Sequence, residues 1–219
     1  MRAADITKGE IVIEVGPGEG VLTESLLNAG AHVIAIEKDD RLIEMLKKKF
    51  AGKDIEIIHA DIADYNLDIK SYKVIANIPY YITGEILRKF LSDPYQPIRM
   101  VLMIQKEVAE RIIDSKESIL SISVKAYGTP SLVRIVTREN FKPAPNVDSA
   151  VLLIENISRE FFANVDEQKF FDLVRKGFAH KRKKLGSNLG LELGNKRAEE
   201  LTVGDWKNLY TDLSTTYPS

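Results

Sequence analysis

The sequence predicts an open α/β fold, a largely parallel sheet with helices on its faces, followed by a small helical appendage. Three observations predict it. Short apolar runs of strand type alternate with amphipathic segments over the first 156 residues, the pattern of βαβ units. The first run ends in a glycine-rich turn, Glu14-Val15-Gly16-Pro17-Gly18-Glu19-Gly20, that leads into a helix. Past Asn156 the strand pattern ceases and helical spacing takes over. The expected division is therefore an α/β domain over residues 1–156 and a helical domain over 157–219.

The first strand begins near Glu10 and carries Ile11, Val12 and Ile13; Val21, Leu22, Leu26 and Leu27 mark the helix after the turn. Gly16 and Gly18 let the backbone turn sharply and approach a ligand with no Cβ in the way. The dinucleotide fingerprint wants G-x-G-x-x-G/A at this point. Here the third glycine comes one residue early, at Gly20, and Val21 takes the fingerprint position. A G-x-G-x-G turn preceded by the Glu14 carboxylate looks like the S-adenosylmethionine turn of class I methyltransferases. That cofactor has no pyrophosphate to cradle; it needs close backbone and a carboxylate near its cationic methionine end.

Ala31 to Glu37 reads as a second buried strand ending in an acid. An acid at that point of a nucleotide-binding fold accepts hydrogen bonds from ribose hydroxyls. Asp39 has the place of an N-cap, and Leu42, Ile43, Met45, Leu46 and Phe50 give the apolar face of the next helix. Ile55 to His59 is the third strand, closed by Ala60-Asp61-Ile62. Asp61 is placed to accept from an adenine amino group and Ile62 to pack on the ring; Asp64 ranks second for the acid's role. With strands and helices alternating, crossovers are right-handed, strands parallel, and ligands gather at the carboxyl ends of the strands. Glu14, Gly16, Gly18, Glu37 and Asp61 all map to that one edge.

The fourth strand, Tyr72 to Ala76, delivers Asn77-Ile78-Pro79-Tyr80 to the same edge. The exocyclic amine of adenine is a poor nucleophile because its lone pair is delocalised into the ring. The Asn77 side-chain oxygen and the Ile78 carbonyl are two acceptors for the two amino hydrogens; Pro79 stiffens the turn and Tyr80 offers a ring for a purine to stack on. Catalysis would then be orientation and electrostatics, without a covalent intermediate. The plain alternative is an X-Pro turn with an aromatic plug.

These residues carry a family resemblance. Asn77-Ile78-Pro79-Tyr80 after the Glu14–Gly20 turn resembles the KsgA-type rRNA adenine N6-dimethyltransferases, with the erythromycin-resistance methyltransferases as relatives. Met103 to Arg111 is similar to the segment after the family's fifth strand, Phe141 to Val151 to its F-x-P-x-P-x-V-x-S-A-V signature, and Phe178 to Leu185 to its F-x-x-R-R-K-x-L element. The resemblance covers nearly the whole chain. It implies a seven-stranded class I methyltransferase sheet with one reversed strand. It implies that Glu14, Gly16, Gly18, Glu37, Lys38, Asp61, Ile62 and Asn77 handle S-adenosylmethionine, while Asn77, Ile78, Pro79 and Tyr80 carry the transfer. Tyr80 and Phe141 would hold the target adenine between them. The implied reaction dimethylates two adjacent adenosines near the 3′ end of small-subunit rRNA during ribosome biogenesis. The alternatives are a resistance-type enzyme acting on one large-subunit adenosine and a non-catalytic RNA-binding assembly factor. Two departures stand out. The family's N-terminal Gly-Gln-Asn/His-Phe-Leu segment has no counterpart here, so weaker cofactor and RNA binding is expected. Tyr81 and Gly84 stand where relatives commonly carry Asn and a small residue or proline.

Ser121 to Gly128 reads as the end of a helix, and Leu132 to Val136 and Ala150 to Ile154 as the last two strands around the Phe141 loop. Phe170, Phe171, Val174 and Phe178 have helical spacing; further helices are expected around Ala198–Leu201 and Trp206–Leu213, with Trp206 and Tyr210 as core. Between Arg175 and Lys184 lie six Lys/Arg and no acid. With the resemblance, Lys181, Arg182, Lys183 and Lys184 are the expected RNA-phosphate contacts; without it they would read as a solvated helix end.

Composition bounds the rest. The 219 residues carry a net charge of −1, so nucleic-acid binding must come from a local patch. There is no cysteine, which excludes disulfides and thiolate chemistry, and the three histidines have no ligand spacing, so no metal is expected. No apolar run approaches the ~20 residues of a membrane span. A cytoplasmic monomer is expected.

Overall fold

The computed structural model describes residues 2–216 and divides them into two compact units. The first comprises the described residues up to Ala109 together with Thr129–Ile157. Its seven-stranded sheet contains β1 (Ile11–Val15), β2 (His32–Glu37), β3 (Ile55–His59), β4 (Lys73–Asn77), β5 (Arg99–Gln105), β6 (Thr129–Val136) and β7 (Ser149–Glu155) in the order β3-β2-β1-β4-β5-β7-β6. The first five pair in parallel; β7 pairs antiparallel with both β5 and β6 and is the one reversed strand.

The helices of this unit are α1 (Val21–Asn28), α2 (Asp40–Lys49), α3 (Thr83–Ser92) and the start of α4 (Lys106–Ile113). β1, β2 and β4 are buried along nearly their whole lengths, as parallel strands covered on both faces must be. Val12 of β1, Leu26 of α1, Val33 and Ala35 of β2 and Ile75 of β4 share one apolar cluster. Side chains alternate across a strand, so Glu14, two residues beyond Val12, faces the same side and lies under α1. α3 buries Ile86, Leu87, Phe90 and Leu91, a helical stripe in which each such side chain is worth about 1.5–3 kcal/mol. Asp39 caps α2, accepting the Arg41 N–H at 3.0 Å, and Lys47, Lys48 and Lys49 occupy its last turn.

The strand order reverses between β1 and β4: from β1 the chain goes outward to β2 and β3, then returns to add β4 on β1's other side. The crevice outside the carboxyl ends of such a pair is where open α/β sheets bind ligands. The glycine turn follows β1 and the Asn77 tetrapeptide ends β4, so the two motifs flank this crevice.

The second unit contains Glu110–Gly128 and the described residues from Ser158 onward. Its helices are the end of α4, α5 (Ile119–Lys125), α6 (Glu167–Gly177), α7 (Leu185–Leu189) and α8 (Val203–Thr216). Ile122, Phe170, Val174, Leu185, Leu189, Leu201 and Trp206 form its core, with Trp206 fully buried and stacked on Phe178. The helical unit is thus discontinuous in sequence, taking in α5, which sequence patterning alone leaves with the sheet. Ala198–Glu200 is a single 3₁₀ turn rather than a helix. Lys181, Arg182 and Lys183 fall in the turn between α6 and α7 rather than on a helix end.

Candidate active site

The glycine turn is built by backbone conformation. Gly16 and Gly18 have φ of +65° and +58°, a region L side chains avoid. A Cβ at either would meet nothing within 4 Å, so the conformation demands glycine and the space beyond stays open for a ligand. Gly20 differs: its φ is +80°, and a Cβ there would meet Phe50 Cε2 at 2.5 Å and Leu46 Cδ2 at 3.2 Å. The early third glycine therefore serves the packing of α1's start on the end of α2. The Gly16 N–H donates to the Ile36 carbonyl at 2.9 Å, and the Gly18 N–H to Glu37 Oε2 at 3.2 Å. Glu37 Oε1 accepts the Asp39 N–H at 2.9 Å. The Glu37 carboxylate is thereby fixed at the carboxyl end of β2 with lone pairs to spare.

Two cavities open on this edge and meet at Gly16. The larger, about 590 Å³, is lined by Glu14, Gly16, Gly18, Asn77, Met103 and Phe141, among others. The smaller, about 400 Å³, is lined by Gly16, Glu37, Lys38, Asp61, Ile62, Pro79 and Tyr81, among others. Each lies within the size range of small-molecule sites. Of the sequence-derived candidates, Ile78 and Tyr80 line neither cavity, nor does Asp64, which is exposed. Lys181, Arg182, Lys183 and Lys184 belong to the second unit.

Glu14 is the electrostatic centre of the larger cavity. It is 1% exposed; its Oε2 accepts the Thr23 hydroxyl at 2.6 Å, and its Oε1 has no partner. Burial pushes its pKa up to about 7 against the opposing Thr23 hydrogen bond, and the nearby Glu37 charge adds to the rise. A buried carboxylate oxygen without a donor is costly, and a cationic ligand would satisfy it. In the smaller cavity Asp61 Oδ2 takes the Lys38 ammonium at 2.6 Å and Oδ1 the Ala63 N–H at 3.0 Å. These contacts hold the Asp61 pKa below its ordinary value, the Lys38 hydrogen bond contributing most. Ile62 beside it is buried.

Asn77 ends β4 opposite Met103 of β5, and the Ile78 N–H donates to the Met103 carbonyl at 3.1 Å, so the turn leaves the sheet in a fixed direction. The Asn77 side chain is exposed and makes no hydrogen bond among the described residues. Tyr80 is half-buried; its hydroxyl shares a 3.0 Å hydrogen bond with Ser149 Oγ at the start of β7, and its carbonyl accepts the Thr83 hydroxyl at 3.2 Å. The ring is therefore anchored through its hydroxyl, and the backbone that carries it through its carbonyl. Phe141 is half-buried on the larger cavity with Asn140 beside it. Thr23 and Ser149, which sequence reasoning missed, fix Glu14 and Tyr80. No group of three or more potential metal-ligating residues occurs among the described residues, and no helix there is long and apolar enough to cross a membrane.

The residues fit S-adenosylmethionine. The unpartnered Glu14 oxygen suits its ammonium, the open glycine backbone its main body, Glu37 its ribose hydroxyls, and Asp61 with Ile62 its adenine.

A family model described as ribosomal RNA adenine dimethylase matches residues 1–212. A ribosomal RNA small subunit methyltransferase A of Dehalococcoides mccartyi is 40% identical, the match covering 95% of this chain and 80% of that protein. Among solved structures, a dimethyladenosine transferase of Plasmodium falciparum superposes with a TM-score of 0.84 at 28% identity, over 98% of this chain and 93% of that one. The 23S rRNA methyltransferase ErmE shares the fold, with a TM-score of 0.79 at 24% identity over 97% and 94% of the two chains.

Proposed function

The chain belongs to the ribosomal RNA adenine dimethylase family, and from that premise we propose that it dimethylates N6 of two adjacent adenosines near the 3′ end of small-subunit rRNA. The work is assigned to the cytoplasm and to the maturing small ribosomal subunit. One observation carries the reading: the Asn77 amide, without an internal partner, lines the same cavity as Gly16, Gly18 and the unpartnered Glu14 oxygen.

When bound, S-adenosylmethionine supplies an electrophilic sulfonium methyl. Glu14, Gly16 and Gly18 hold the cofactor's methionine end, and Glu37, Lys38, Asp61 and Ile62 its nucleoside. Asn77 Oδ1 and the Ile78 carbonyl accept the two amino hydrogens of the target adenine, which turns the nitrogen lone pair toward the methyl. Pro79 lends that turn stiffness, and the Tyr80 and Phe141 rings pack on the base. Gains of this kind come from orientation and preorganised dipoles. Lys181, Arg182, Lys183 and Lys184 contact RNA phosphates.

Primer extension across both rRNAs, after incubation of ribosomal subunits with the protein and S-adenosylmethionine, tests the reading. Stops at two adjacent adenosines in the small-subunit RNA are expected. A single modified large-subunit adenosine would replace this reading with the resistance-type one, and no modification would leave an RNA-binding factor.

A further inference from the structure

We propose that Tyr81 is a stacking platform for an RNA base flanking the target adenosine, and so a determinant of substrate recognition separate from the pair that holds the target itself. This rests on the RNA-methylating function proposed above.

Tyr81 is 89% exposed, the most exposed of the large apolar side chains among the described residues. It is next in sequence to Tyr80 in the same 3₁₀ turn, Tyr80–Ile82. Successive side chains in such a turn point about 120° apart. Tyr80 is committed inward through Ser149. Tyr81 therefore projects outward from a turn that begins three residues after Asn77, the end of β4. It thus offers a free aromatic face to solvent beside the turn that carries the Asn77 tetrapeptide.

The surroundings say what covers it. Tyr81 borders the cavity that carries Lys38, Asp61 and Glu85. Lys38 is already paired with Asp61 at 2.6 Å, and Glu85 is exposed. That rim repels a phosphate and suits a neutral π face. The cofactor's adenine has Ile62, buried deeper in the same cavity. When a target base leaves its stack, the neighbouring base loses a partner, and an aromatic side chain at the mouth of the site can replace it.

The test uses the full chain and a synthetic RNA hairpin with two adjacent loop adenosines, 2-aminopurine replacing the base next to them. RNA affinity is read from 2-aminopurine fluorescence with S-adenosylhomocysteine present, methyl transfer from label incorporation, and cofactor affinity by calorimetry. Tyr81→Ala is expected to weaken RNA binding roughly 5- to 150-fold, the worth of one base–aromatic stack. It should raise the KM for RNA with little change in kcat and lose the 2-aminopurine quenching, with any loss of cofactor affinity much smaller than the loss of RNA affinity. Tyr81→Phe, which keeps the ring, should restore RNA affinity to within about twofold. Wild-type RNA affinity and quenching in Tyr81→Ala would overturn the proposal, as would an equal loss of cofactor affinity, which would make the ring a cover for the cofactor. If the wild type neither binds nor methylates the hairpin, the proposed function falls and this inference with it; normal wild-type transfer with an indifferent Tyr81→Ala overturns this inference alone.

Discussion

If Glu14 holds the cofactor's ammonium as proposed, it couples cofactor binding to protons, and the coupling is large enough to measure. Its buried carboxyl has a pKa of about 7 against an ordinary value of 4.5. Thr23 is its one hydrogen-bond partner, Glu37 is the charged group that perturbs it, and no cation pairs with it among the described residues. The native state therefore holds a proton that the unfolded chain gives up between pH 4.5 and 7. The stability tied to that proton is fully present below the unfolded value and is lost as pH rises through the native one. It amounts to about 3 kcal/mol. Glu14→Gln removes the titration and retains a partner for Thr23. Urea unfolding of the cofactor-free protein from pH 5 to 8 should show wild type losing stability while the variant stays level. At pH 8 the variant should be the more stable by about 3 kcal/mol. Cofactor binding runs the other way, since a cationic ammonium favours the ionised carboxylate. If that contact returns Glu14 to its ordinary value, wild-type affinity should rise roughly 40-fold from pH 5 to pH 7, with nearly one proton released per cofactor at pH 6. Calorimetry in buffers of different ionisation enthalpy counts that proton. Parallel stability profiles for wild type and variant, or cofactor binding without proton release at pH 6, would refute the assignment of Glu14 to the ammonium.

Other outcomes follow from the same contacts. Asn77→Ala should lower methyl transfer by at least ~100-fold while changing cofactor affinity, read by calorimetry, less than about threefold, because positioning of the reacting amine is lost and the cavity is kept. Replacing Lys181, Arg182, Lys183 and Lys184 with Gln should weaken RNA binding and reduce the slope of log affinity against log salt by about 2–4, read by filter binding; an unchanged slope would leave those charges solvated. Gly177→Ala should destabilise the helical unit by about 1–3 kcal/mol, read in denaturant melts, because the added Cβ would overlap Trp206 Cη2 and approach Leu185 Cδ1 at 2.9 Å. Ser149→Ala should keep the fold and raise the KM for RNA severalfold with cofactor affinity unchanged, since only the anchor of the Tyr80 ring is lost.

The parts of this molecule legible in its sequence are those where one residue's local chemistry forces a backbone state or an edge. Strands buried on both faces read as apolar runs, so β1, β2 and β4 fall within a residue or two of where the apolar pattern puts them. Gly16 and Gly18 announce positive φ, and a sheet whose strands run parallel sends Glu14, Glu37, Asp61 and Asn77 to one edge without any further information. The parts that were not legible depend on distant chain meeting by packing. Thr23 satisfies Glu14 only because α1's phase turns it under the helix, and Ser149 anchors Tyr80 across 69 residues of sequence. Helical period likewise places α5 as a helix but is silent on which core it joins: Ile122 packs with Phe170 and Trp206, which no local pattern reveals. Gly20 mixes the two cases. Its early position excludes the dinucleotide fingerprint, a local fact, yet its glycine is required by Phe50, thirty residues away. The same division sets what each substitution can test. Changes at Gly16, Gly18 or Asn77 report on the chemistry of the edge, whereas changes at Thr23, Ser149 or Gly20 report on whether the edge is assembled. A variant of the second kind that lost transfer but kept cofactor affinity would locate the chemistry in the target-base half of the site, because Glu14 and the glycine turn would still be working.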